Sequence, residues 1–95
     1  MSRRVAESIF AECKEFINAG KLEELQEYVK TLLESEFDTA PDWPTLFQKA
    51  YLHACLKKQK ESAEWIASLF SLFDPIVQIA YRQVFFYGRY LLAKA

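Results

Sequence analysis

Pro75-Ile-Val-Gln-Ile-Ala-Tyr-Arg-Gln-Val-Phe-Phe-Tyr-Gly-Arg-Tyr-Leu-Leu-Ala93 decides the fold. At the α-helical advance of about 100° per residue, its apolar side chains cover roughly 240° of a helix. Gln78, Arg82 and Arg89 make a narrow polar strip, within about 40° of one another on that projection. A surface helix ordinarily shows an apolar stripe of ~100° or a little more. A helix this apolar must be surrounded, by its own chain or by a partner. The expectation is an all-α protein of about five helices, packed as antiparallel hairpins around this C-terminal helix.

Working back along the chain, residues 59–73 read as another broad-faced helix. Ala63, Trp65, Ile66, Ala67, Leu69, Phe70, Leu72 and Phe73 spread over roughly 220°. Asp74 is a natural N-cap, and Pro75 a natural first residue, for the helix at 75–93. Residues 44–58 put Phe47, Ala50, Tyr51, Ala54 and Cys55 on one stripe and Leu52 and Leu56 on a second, the pattern of a helix sandwiched between neighbours. Residues 36–43 form the one real loop, because Pro41 and Pro44 cannot both sit inside a helix. Phe37 and Trp43 read as aromatic pins that anchor this loop in the core. The alternative is an exposed aromatic pair that grips a peptide.

Two amphipathic helices precede the loop, at 2–19 and 21–35. Val5, Ala6, Ile9, Phe10, Cys13, Phe16 and Ile17 share an arc of roughly 140°, as do Leu22, Leu25, Tyr28, Val29, Leu32 and Leu33. Ser2 can cap the first helix, and Gly20 stands where a helix end favours a left-handed residue. Glu23, Glu24 and Glu27 lie in the first turns of the second, where the helix dipole favours negative charge. There is no alternating Val/Thr-rich run and no Asn-Gly or Asp-Gly hairpin, so no sheet is expected.

The 95 residues fit one helical domain, 1–95, with 52% apolar and 16% aromatic side chains and only two Gly. Arg3-Arg4 leads into a charged helix and not an apolar core, so no signal peptide is expected. No apolar run approaches the ~18 residues of a membrane span, which argues against stable membrane insertion. Two cysteines without a secretion signal point to an intracellular location, cytoplasm or nucleus. Residues 1–45 carry five Lys/Arg against ten Asp/Glu, and residues 46–95 seven against three. Such a split suits one half facing the other, within a chain or across a dimer. Chance variation in a small sample gives the same split.

The chain offers little for chemistry. A metal centre needs three or four ligands, and here there are one His and two distant Cys. His53 reads as a boundary residue with a local hydrogen bond. Cys13 and Cys55 fall on apolar arcs as small hydrophobes. His53 and Cys55 are two apart and point to different faces, so they make no nucleophilic pair. A Cys13–Cys55 disulfide remains open, though the inferred compartment disfavours it. The Glu12/Glu15 and Glu23/Glu27 pairs read as helix-solubilising charge. No phosphate loop, hydrolase elbow or zinc-protease motif is present. No enzyme activity and no cofactor are expected.

Two windows resemble each other. They are Asn18-Ala-Gly-Lys-Leu-Glu-Glu-Leu-Gln-Glu-Tyr-Val29 and Lys57-Lys-Gln-Lys-Glu-Ser-Ala-Glu-Trp-Ile-Ala-Ser68, the second preceded by Ala50-Tyr-Leu-His-Ala-Cys-Leu56. Both place a short polar turn before an acidic, then apolar helix. Together they resemble the helix–turn–helix of degenerate ankyrin repeats, abundant in large DNA viruses and intracellular bacteria, over roughly residues 6–35 and 46–73. Gln59 is the counterpart of Gly20, 39 residues on, against an ankyrin period of about 33. The resemblance implies protein binding without catalysis, as in a viral accessory protein. Binary patterning of plain helical hairpins also produces this pattern.

The leading expectation is a non-enzymatic interaction or structural module, a homodimer that also binds an unidentified protein partner. Its interface would use Trp65, Leu69, Leu72, Phe73, Tyr81, Arg82, Phe85, Phe86, Arg89 and Tyr90. Arg82 and Arg89 read as the polar stripe of a buried helix, paired to glutamates of the acidic half. The alternative is a small nucleic-acid binder in which Arg82 and Arg89 stack among aromatics. Lys57, Lys58 and Lys60 would then add anion contacts. Otherwise these lysines serve to complement a helix C-terminus. A membrane-surface helix at 75–93 ranks last, because its basic face is narrow.

Overall fold

The computed structural model describes residues 3–36 and 42–94. Its elements are α1 (Arg3–Asn18), α2 (Leu22–Glu36), α3 (Trp43–Leu56), α4 (Lys60–Ser68), a 3-10 turn (Leu69–Leu72), α5 (Pro75–Ala80) and α6 (Arg82–Ala93). Every regular element among the described residues is helical. The Ser2 cap and the Phe37 pin lie outside the described residues.

Two turns of the same kind organise the chain. At the end of α1, Gly20 takes φ +69°, its N–H reaches Ile17 O at 3.0 Å and the Lys21 N–H reaches Phe16 O at 2.9 Å. At the end of α3, Lys58 takes φ +59°, its N–H reaches Cys55 O at 3.1 Å and the Gln59 N–H reaches Ala54 O at 2.9 Å. Both are Schellman motifs, which satisfy carbonyls that a helix end leaves open. The counterpart of Gly20 is therefore Lys58, one residue earlier than the Gln59 that the sequence pattern suggests. A side chain in this left-handed conformation costs roughly 1–2 kcal/mol, because Cβ crowds the following carbonyl.

The centre of the molecule is α3, not the C-terminal helix. Helices α1, α4 and α6 all pack on it, and it buries Trp43, Leu46, Phe47, Ala50, Tyr51, Ala54 and Cys55. Its start follows from its sequence. Asp42 caps it, accepting hydrogen bonds from Thr45 N at 3.4 Å and from Thr45 Oγ1 at 2.6 Å, while Pro44 sits in the first turn. Trp43 is only 4% exposed and its ring lies 5.5 Å from Phe47. Of the two readings of this tryptophan, the core pin holds.

The expected helices at 59–73 and 75–93 are each divided. In the first, Ser68 Oγ bonds Trp65 O and Ser71 Oγ bonds Ser68 O, both three residues back. This spacing matches 3-10 geometry, and the chain tightens into a 3-10 turn there. In the second, Tyr81 (φ −98°, ψ 8°) separates α5 from α6 without a proline or glycine. Its ring packs 5.3 Å from Phe70 and its hydroxyl lies 3.4 Å from Thr45 Oγ1. These contacts hold Tyr81 inward, and α6 lies along α3 from that point. Phe70, 2% exposed, sits among Phe47, Phe73, Tyr81 and Phe85, with centroids 4.9–6.4 Å away. Most of these contacts are edge-on or tilted, the favourable arrangements for aromatic quadrupoles.

Candidate functional site

The way α6 meets α3 decides what the C-terminal region displays. Gly88 is its one buried residue. A Cβ at Gly88 would fall 2.2 Å from Tyr51 Cε2, so the Tyr51 ring rests directly on the α6 backbone. The Tyr51 hydroxyl donates to Phe85 O at 3.2 Å, and the two rings meet edge-on at 5.3 Å. Burial, then the neighbouring Cys55, pushes the Tyr51 hydroxyl pKa up to about 12, so it stays a donor at any ordinary pH. Gly88 is the packing position that the helical pattern passes over. A lone glycine inside an apolar helical run is nevertheless a signal of close backbone approach.

With Gly88 facing inward, much of the apolar surface of α6 faces out. Phe86 is 50% exposed, Tyr87 55% and Tyr90 58%. On the preceding elements, Leu72, Ile76 and Ile79 are also largely exposed, and no residue of α5 is fully buried. Ile76, Ile79 and Tyr87 were absent from the expected interface. The expected set divides into two groups. Trp65, Leu69, Phe73, Tyr81 and Phe85 are half-buried and pack against the core, whereas Leu72, Arg82, Phe86, Arg89 and Tyr90 are exposed.

Arg82 and Arg89 do not form the polar stripe of a buried helix. Both are exposed, and their guanidinium carbons lie 5.8 and 5.7 Å from the Phe86 ring centroid. Phe86 is thus flanked by cations one turn before and one turn after it, within cation–π range of each. Beside it, Tyr87 and Tyr90 stack at 6.3 Å.

The three lysines of the α3–α4 turn have different roles. Lys58 Nζ donates to Leu91 O and to Lys94 O at 2.6 Å. It caps the C-terminus of α6, where the helix dipole favours a cation. Lys57 and Lys60 are exposed. Lys60 borders a cleft of about 630 Å³ between α4 and α6. On the α4 side the cleft is lined by Lys60, Ala63, Glu64 and Ala67. Phe85, Arg89, Leu92 and Ala93 line the α6 side, and Tyr51 completes the lining.

Cys13 and Cys55 are free and buried, so the disulfide left open by the sequence is not formed. Burial, then Glu12, raises the Cys13 pKa to about 12, and burial raises that of Cys55. His53 Nε2 lies 2.7 Å from Asn18 Oδ1, joining α3 to the end of α1. Its pKa is lowered by burial and by Lys57 and Lys14. Among the described residues, no helix is long and apolar enough to cross a membrane. No protein family, no curated protein and no solved structure matches this chain.

Proposed function

We propose that this chain is a non-enzymatic, all-helical interaction module that pairs with a second copy through the outer face of α5 and α6. The observation that carries this reading is the run of exposed apolar side chains at Leu72, Ile76, Ile79, Phe86, Tyr87 and Tyr90. Apolar exposure on this scale marks interaction surfaces. A two-fold pair is the commonest closure, since one self-complementary patch serves both copies. Phe86 is the natural anchor. Burying it would desolvate both flanking arginines and strengthen their cation–π contacts. Light scattering coupled to size exclusion should show a dimer at micromolar concentration, and Phe86→Glu should convert it to a monomer of unchanged helicity. A wild-type monomer at that concentration would refute the pairing.

The Arg82–Phe86–Arg89 ladder favours one second reading, stacking of single-stranded nucleic acid on an aromatic face with cations beside it. A gel shift that weakens steeply with salt would support it. Absence of any shift at low salt would remove it.

A further inference from the structure

Residues 75–93 hold two arginines and no acid, and Asp74, the acid before them, stands at the far end of α5. Among the described residues, neither guanidinium is paired with a carboxylate, and both lie against the Phe86 ring. Glu64 lines the cleft beside Arg89 without pairing with it. The two cations also share one edge of α6. At about 100° per residue they fall within about 20° of each other. Gly88 marks the inward direction, so the outward one passes between Phe86 and Tyr90. Arg82 and Arg89 stand on one side of that line, and the exposed Gln83 and Tyr87 on the other.

Self-pairing through this face, on which the present inference rests, brings four guanidiniums and no carboxylate of residues 75–93 into one interface. Like charges withdrawn from water together repel strongly. A two-fold axis lying across α6 reverses the helix and keeps each edge on its own side, so arginine edge meets arginine edge. Opposed helix dipoles favour this antiparallel arrangement. With the axis at Phe86, Arg82 of one copy stands beside Arg89 of the other, twice over. We propose that each of these Arg82–Arg89 pairs holds a free, doubly charged tetrahedral oxyanion of the phosphate and sulfate class, and that the two copies pair most tightly around it. The guanidinium suits this ligand, because its planar fork donates two parallel N–H bonds to two oxygens of one anion. Chloride has a single charge and no pair of oxygens to bridge two forks. Phe86 already holds both guanidiniums at the seam, which lowers the entropy lost when they bind. Each site takes one arginine from each copy and is incomplete in a single chain.

The experiment is sedimentation equilibrium of the full chain in sodium chloride and in low-millimolar sodium sulfate of the same ionic strength. Sulfate should tighten the pair about tenfold or more. Because sulfate also strengthens apolar burial in general, Arg82→Gln with Arg89→Gln is the control. It keeps the apolar face and should lose the response. Arg82→Glu should go further. It sets a carboxylate beside the second copy's Arg89 at both sites, so it should pair more tightly than wild type in chloride and ignore sulfate. A short oligothymidylate, whose bases compete for Phe86, should not replace sulfate. The anion site is overturned, and self-pairing kept, if wild type pairs equally in both salts or if the double Gln variant responds as wild type does. It is overturned too if Arg82→Glu, folded by circular dichroism, pairs no more tightly than wild type in chloride, because the arginine edge then meets the Tyr87 edge. Tightening by the oligothymidylate and not by sulfate would make nucleic acid the occupant. If wild type and the double Gln variant both stay monomeric in both salts, self-pairing itself fails and the anion site with it.

Discussion

Helices α1 and α6 flank the same central helix and do so by opposite means. From α1, Ile9, Cys13 and Ile17 reach α3 as a stripe of side chains at 4%, 3% and 0% exposure. From α6, Gly88 makes the close approach, with Phe85 on one side, and Phe86, Tyr87 and Tyr90 stay outside. The more apolar helix in sequence is thus the less buried in structure. Apolar content measures how much a helix can bury. The position of its small residues determines which face it does bury.

The contrast can be broken most strongly from the α1 side. Ile17→Ala should cost about 2–5 kcal/mol in urea unfolding, through lost transfer energy and a cavity. Next comes Gly88→Ala, at about 1–3 kcal/mol, because the new methyl meets the rigid Tyr51 ring and not a flexible chain end. On a Tyr51→Ala background the same change should be nearly free, and a double-mutant cycle would measure that coupling.

Smaller effects sharpen the comparison. Lys58→Ala should destabilise more than Lys58→Gly by about 1 kcal/mol. Both lose the contacts to the end of α6, but only glycine relieves the left-handed strain. The pH profile probes the α1 side. His53 is held below its usual pKa, so the unfolded chain takes up its proton first as pH falls through the value of 6.5 that it would have unfolded. Its contribution is complete above that pH and is lost progressively below it, down to the folded pKa. His53→Gln should flatten that part of the profile. Least affected should be Phe86→Glu, whose unfolding free energy should stay within about 0.5 kcal/mol of the wild-type monomer.

Local rules written in adjacent residues made much of the fold readable. Gly20, Pro44 and Asp74-Pro75 each mark a boundary that the structure retains to within a residue or so. At Asp74 the position is right, but the side chain makes no cap bond. The break at Tyr81 is a tertiary effect. Its cause lies in Phe70 and Thr45, far along the chain, and no propensity encodes it. Lys58 was hidden for a similar reason. Its left-handed backbone is tolerated in a turn whose lysine also reaches the end of α6. For the candidate site, periodicity found the apolar residues of the last helices but ranked them by amount. It could not separate Phe85 from Phe86, adjacent residues of which one packs on Phe70 and the other faces outward.

The two buried thiols turn this asymmetry into a timing device. Cys13 lies on the face of α1 that packs on α3, and Cys55 lies on α3 beside the Tyr51 hydroxyl on which α6 rests. With both held in the protonated, unreactive form, neither can be alkylated until its own cover lifts. A pulse of thiol reagent would then keep two clocks, one for each flank of α3. If the helix seated on a glycine lets go first, Cys55 will be modified while Cys13 is still protected.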